Sequence, residues 1–162
     1  MHMVIRVIVY ASSKEEALEK GKKVLTQLCE EEKFDYYATF DKEGLVVAGK
    51  DRWGNLPVAA KLSSKEGKKL ISEGFCAMRR NFYHYLNKIR EYLKENSNKQ
   101  IFEDPTWFRF YCYCLGQYQG SEVWLYNDDG EGIRNTTELK WALNPEGISK
   151  ENIWIVPADV HF

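Results

Sequence analysis

Between Ile71 and Leu93 apolar residues recur at steps of three and four: Ile71, Phe75, Met78, Phe82, Tyr85, Ile89 and Leu93. That is the helical period, sustained for longer here than anywhere else in the chain. Ser63 and Ser64 with Glu66 open the helix, and Asn96-Ser97-Asn98 ends it, so one helix is expected over about residues 64–95. A stripe of that length must be buried against another layer, and the remaining sequence supplies strands for it.

Residues 3–10 are β-branched and apolar, with Val4, Ile5, Val7, Ile8 and Val9, and read as a central strand. Ser12 and Ser13 before Glu15 and Glu16 open a first helix, with Leu18, Gly21, Val24, Leu25 and Leu28 on its apolar side. The run Glu30-Glu31-Glu32 opposes the dipole at a helix end, so this helix is expected to stop near Cys29. Phe34 to Phe40 alternates as a half-buried strand. Asp41-Lys42-Glu43-Gly44 turns it into a return strand, Leu45-Val46-Val47-Ala48, and residues 58–62 can add a short one. Residues 96–105 look like a linker. Beyond Pro105, the aromatic-rich segment Trp107 to Leu115 is β-prone, Gly116 to Gly120 turns the chain, and Val123 to Tyr126 returns it. Asn135 with Glu138 starts a short helix through Leu143, and Ile153 to Val156 is expected as a last strand before Pro157.

The order β-α-β-β-(β)-α-β-β-α-β over 162 residues implies one α+β domain. Its expected form is a two-layer α/β sandwich with a mixed, mainly antiparallel sheet, one long helix and two shorter ones, the ferredoxin-like arrangement being the nearest simple model. With 44% hydrophobic and 29% charged residues the chain has the composition of an ordinary globular domain. No apolar run approaches the roughly 20 residues of a membrane span, and no export signal opens the chain. Four cysteines without a C-x-x-C pair fit a reducing compartment, and a cytoplasmic location is expected. Met1-His2-Met3 has the look of a cloning remnant, so His2 is given no weight. The net charge of −1 argues against wholesale phosphate binding, but it is unevenly spread. Residues 61–94 carry nine Lys or Arg against three Glu, a net of +6, and residues 95–162 carry five against eleven acids, a net of −6. Such opposition can bring a partner, or a second copy in a homodimer, into register.

Three constellations could carry chemistry. Asn127, Asp129, Glu131, Asn135 and Glu138 fall at positions 1, 3, 5, 9 and 12 of a calcium-loop spacing with Gly132 at position 6. An Asn at the first position, Arg134 in place of an apolar residue and a strand leading in count against calcium, and a turn followed by an N-capped helix accounts for the same residues. Asp159 and His161 project from one face of an extended segment. With Cys112 and Cys114 on one face of a neighbouring strand, they would make a zinc site. Arg79, Arg80 and His84 beside Tyr83 and Tyr85 could grip a nucleic acid, although a solvated face on a core helix is the plainer account. Arg52 and Trp53 sit in a loop, where binding and folding back over the core are equally reasonable, and Arg134 precedes a helix that could hold an anion. No phosphate-loop, dinucleotide or nucleophile-elbow motif is present.

Phe34-Asp35-Tyr36-Tyr37, Arg52-Trp53-Gly54, Gly130-Glu131-Gly132-Ile133-Arg134 and Val156-Pro157-Ala158-Asp159-Val160-His161 resemble short uncharacterised archaeal proteins over most of the chain. The resemblance implies a cytoplasmic, archaeal origin and no activity. Two functional expectations stand. One is a non-catalytic module that binds a partner or small ligand, with Arg52, Trp53, Arg134, Asp159 and His161 as candidate contacts. The other is a metal-assisted hydrolase using Asp128, Asp129, Glu131, Arg134, Asp159 and His161, which requires the acidic turn and the Asp159 segment to meet in one pocket.

Overall fold

Strand β1 (His2–Tyr10) is apolar on both of its faces, so it requires cover on both. The structure, a computed structural model, describes residues 2–41, 50–116 and 123–161. After β1 come α1 (Lys14–Glu30), β2 (Tyr36–Thr39), the single turn α2 (Lys50–Trp53), β3 (Ala60–Lys61) and the long α3 (Lys65–Glu95). Then follow α4 (Asn98–Glu103), α5 (Thr106–Gly116), β4 (Leu125–Tyr126), α6 (Thr136–Ala142) and β5 (Ile153–His161). The expected return strand Leu45–Ala48 and the turn at 117–120 lie outside the described residues.

The class is α+β, and the sheet is mixed and mainly antiparallel. Its order is β2-β5-β1-β4, with β3 on the same edge of β5 as β2. β1 and β5 pair antiparallel along their full length, from His2↔His161 to Tyr10↔Ile153, and β4 runs parallel to β1. Alternation sorts these central strands into two faces. Ile5, Val7, Val9, Val156, Ala158 and Val160 meet Val24, Leu25 and Leu28 of α1. Ile8, Ile153, Ile155 and Leu125 meet Leu70 and Ile71 of α3 and Ala142 of α6. The sheet is therefore covered on both faces, where a ferredoxin-like sandwich would cover one. Two close approaches fix the helices: a Cβ on Gly21 of α1 would stand 2.9 Å from Val156, and one on Gly74 of α3 would stand 3.0 Å from the Arg6 side chain.

Local chemistry explains the ends. Ser13 caps α1, its hydroxyl accepting from the Glu16 amide at 3.2 Å. The Glu16 carboxylate in turn accepts from the amide and hydroxyl of Ser12, and Lys20 and Ser12 together hold its pKa down at about 2. At the other end Glu32 is forced to φ 58°, while the Lys33 amide reaches back to the Leu28 carbonyl at 3.0 Å. A non-glycine residue is strained there, and its carboxylate faces the negative end of the helix dipole. Glu32→Gly is expected to stabilise the domain by about 1 kcal/mol, a rise of roughly 2–4 °C in the melting midpoint. No rise in a thermal scan would refute that account of the helix end.

Four expectations are overturned. Arg52 and Trp53 lie in the single helical turn α2 and not in a loop. Trp107 to Leu115 forms helix α5 and not a strand. Aromatic residues favour strands only where a sheet receives them. Here Phe108 and Tyr111, three apart, both pack on Tyr92 of α3. The apparent linker carries the caps that decide the matter. Ser97 and Gln100 form a reciprocal capping box for α4. Asp104 Oδ1 accepts from the Thr106 amide at 3.2 Å ahead of α5, with Pro105 at the helix entry. The last strand, in turn, does not stop before Pro157 but runs to His161. Opposite Pro157 the Arg6 amide donates to the Trp124 carbonyl on the β4 side, so this pair exchanges no bond. The proline nitrogen points the other way, between β3, which pairs at 154–155, and β2, which pairs at 158–161. No donor is required there, and the strand continues.

Candidate functional site

Arg6 is the only charged residue of β1, and it lies on the α3 face between Val4 and Ile8. Gly74 leaves room for its stem. Arg6 is 8% exposed, and among the described residues its guanidinium donates a single hydrogen bond, from Nη1 to the Val4 carbonyl at 2.6 Å, while its buried Nε has no partner. Burial lowers its pKa to about 10, with Glu73 acting in the opposite direction, so it remains cationic at neutral pH. A guanidinium has five donor hydrogens, and a desolvated one is normally repaid by carboxylates or carbonyls around it.

It lies against an open cavity of about 720 Å³. Glu73, Ala77, Arg80 and Asn81 line one side, one face of α3 at helical spacing. Trp53 from α2, Leu56 and Trp124, which precedes β4, supply an apolar wall. The Trp53 indole Nε1 is also buried without a hydrogen-bond partner.

Behind that wall stands Asp159, 0% exposed on β5 and paired in register with Val4. Its Oδ1 lies 3.2 Å from His2 Nδ1, and its Oδ2 is the third buried side-chain polar atom without a partner among the described residues. Burial pushes the Asp159 carboxyl above the ordinary carboxylate range, against opposing pulls from the Trp53 indole, His2 and Arg52. His161 lies beside this group, its ring stacked on Tyr36 at 4.9 Å and its Nδ1 2.7 Å from Asp35 Oδ2. Of the residues singled out from sequence, Arg52, Trp53, Asp159 and His161 thus come together at the His2 end of the central strands.

The acidic turn is elsewhere. It lines a second cavity of about 850 Å³ with Tyr10, whose hydroxyl pKa is pushed up to about 12 by burial and by Asp128 and Asp129. Tyr10 and His2 are opposite ends of β1, about 26 Å apart at some 3.3 Å per residue. Three of the five calcium-loop side chains, Asn127, Asn135 and Glu138, are occupied by backbone amides. Asn127 Oδ1 accepts from the amides of Asp129 and Glu131, and Asn135 Oδ1 from those of Thr137 and Glu138. Glu138 accepts from the Arg134 amide at 2.6 Å, and Arg134 Nη1 donates to the Gly132 carbonyl at 3.0 Å. Cys112 is exposed and Cys114 buried on α5, on a helix and not on the strand that a zinc site with Asp159 and His161 needed. Among the described residues no three His, Cys, Asp or Glu side chains gather in a metal-binding group, and no helix is long and apolar enough to cross a membrane.

A family model described as a domain of unknown function, DUF7995, matches residues 1–162. The chain belongs to the DUF7995 family. No curated protein and no solved structure matches it. The site of this DUF7995 chain therefore has to be read from its own residues. Sequence reasoning missed Arg6, Gly74, Glu73 and Trp124, gave His2 no weight, and singled out Arg80 for nucleic acid and not for this cavity. The available signal was Arg6 itself, one charge inside nine otherwise strand-like residues of a strand expected to be central. Such a residue is rarely buried without a purpose.

Proposed function

We propose that this DUF7995 chain is a non-catalytic binding module for a small organic anion, held in the cavity of Arg6, Arg80, Trp53 and Trp124. One observation carries the reading: a cationic guanidinium buried on a central strand, at the cavity, with one hydrogen bond and an unpartnered Nε. A carboxylate or phosphate group accepts from such a fork, and Arg80 adds a second positive charge. The tryptophans offer flat apolar surface for the rest of the ligand, and Glu73 limits how much negative charge it can bear. Among the described residues the lining has no Ser, Thr, Cys, Lys or Tyr, and His2 and Glu73 are its groups able to act as nucleophile or base. The hydrolase alternative needed the acidic turn and the Asp159 segment in one pocket, and they lie at opposite ends of β1.

The test is a nitrogen–proton NMR titration with inorganic phosphate, acetate and benzoate. The Arg6 Nε–H and Trp53 indole N–H signals are expected to shift in a saturable way with at least one of them. Arg6→Met is expected to abolish the shift at Trp53, and Arg80→Ala to weaken binding by about tenfold. Signals that stay still, or a Trp53 response that survives Arg6→Met, would remove the proposal.

A further inference from the structure

We infer that the outer half of α3 and the helix α5 packed on it form a dimerisation arm, on which a second copy of this chain lies antiparallel. The arm is set apart by what it fails to bury. Gly67, Leu70, Ile71, Gly74 and Met78 are the buried residues of α3, all in its first half, against the sheet. At 1.5 Å per residue α3 is about 46 Å long, so roughly half of it reaches past the core. Tyr92 holds α5 alongside that outer half through Phe108 and Tyr111. Nine large hydrophobic residues are exposed among the described residues, and seven of them lie on α3, α4 or α5. Phe82 and Leu93 are 43% and 50% exposed on α3, and Trp107 and Phe110 are 56% and 46% exposed on α5. Phe82, Leu86, Ile89 and Leu93 recur at steps of four, three and four, the spacing of a helix-bundle seam. A contiguous apolar surface of this kind on a domain with a complete core marks an interaction face.

Charge selects the occupant. The stem of the arm, residues 79–90, carries Arg79, Arg80, Lys88 and Arg90 and no acid, a net of +4. The tip, residues 91–104, carries Glu91, Glu95, Glu103 and Asp104 against Lys94 and Lys99, a net of −2. Two arms side by side in the same direction would set stem against stem. Laid antiparallel about a two-fold axis, each basic stem meets the other copy's acidic tip twice over, and two helices from each chain close a four-helix bundle. The unequal charge of the two halves of the chain then serves assembly and not phosphate binding.

Sedimentation velocity on the full chain tests this. The expected species at tens of micromolar has twice the 19.0 kDa of the chain. Leu93→Lys with Phe110→Lys should weaken it by at least about tenfold while leaving the melting midpoint of protein diluted to the monomer unchanged, since both side chains are about half exposed in the single chain. Charge blocks give the second readout. A stem variant (Arg79→Glu, Lys88→Glu, Arg90→Glu) and a tip variant (Glu91→Lys, Glu95→Lys, Glu103→Lys) should each sediment alone as monomers and pair when mixed. Arg80 is left intact because it lines the cavity. The inference is overturned by a 19.0 kDa species at every concentration, by a dimer indifferent to the apolar pair, or by charge variants that pair no better mixed than apart. A monomer whose stem binds a single-stranded oligonucleotide would overturn it equally, giving the face to nucleic acid.

Discussion

Gly67→Ala is expected to lower the melting midpoint by roughly 6–12 °C, the consequence of about 3 kcal/mol of destabilisation in a chain of this size. The sign is the informative part. Alanine in the first turn of a solvent-facing helix would stabilise by about 1 kcal/mol relative to glycine. Here the first turn of α3 is pressed onto the end of β3. A Cβ at position 67 would collide with the Lys61 carbonyl oxygen and crowd Leu62 Cα at 3.1 Å. That carbonyl also accepts from the Ser64 hydroxyl at 2.7 Å, and the Ser64 oxygen accepts from the Gly67 amide at 3.0 Å. Neither group can withdraw without breaking the N-cap or pulling β3 from β5, because both partners are backbone. At Gly74 the obstacle is the flexible Arg6 side chain, so Gly74→Ala should cost less stability and more anion binding. A thermal scan of both variants checks the contrast, and a Gly67→Ala protein that melts at or above the parent would show that helix and strand are not in this register.

Asp159→Asn is expected to move stability the other way at neutral pH. Burial raises the folded-state carboxyl above its unfolded value, so the folded domain binds that proton more tightly than the unfolded chain does. The resulting contribution to stability is full below the ordinary carboxylate pKa near 3.9 and is lost as pH rises through the elevated value. Asparagine preserves the shape and removes the charge. The variant should therefore gain about 1–2 kcal/mol, or roughly 2–8 °C, around pH 7.5, with the advantage shrinking as pH falls through the elevated carboxyl value and gone below about pH 4. Paired melts across this range decide it. A variant less stable than its parent at pH 7.5 would mean that His2, Arg52 and Trp53 outweigh desolvation. A charge retained at a cost in stability is what a binding site leaves behind, and Asp159 acts on Trp53, which lines the cavity.

The caps and the apolar periods carried most of the fold in legible form. Ser13 and Glu16, Ser64, and Asn135 with Glu138 begin their helices where local hydrogen bonding required, since such signals are complete within four residues. What failed was composition read as propensity. Trp107 to Leu115 is rich in strand-forming residues, yet its neighbour is the far half of a helix, and no local pattern states that. The apolar residues of β1 marked it as a central strand, but the two-layer reading left one of its faces uncovered, and nothing local says which helix goes where. The site followed the same division. Arg52, Trp53, Asp159 and His161 were conspicuous as loop or tail residues. The meeting of Asp159 and His161 with His2 depends on β5 lying beside β1, a pairing across more than 150 residues, and only Trp53 of the four lines the cavity with Arg6.

That pairing has a consequence for the chain during synthesis. All nine residues of β1 find their partner in β5, the last strand to be made. At about 5–20 residues per second the ribosome delivers that partner roughly 10–30 s after β1 has been polymerised. Through that interval Val4 to Val9 lacks the partner on its β5 edge, and its other edge is open too until β4 is made and pairs with Arg6 and Val7. The sheet that α1 and α3 cover is therefore complete only once β5 has joined it.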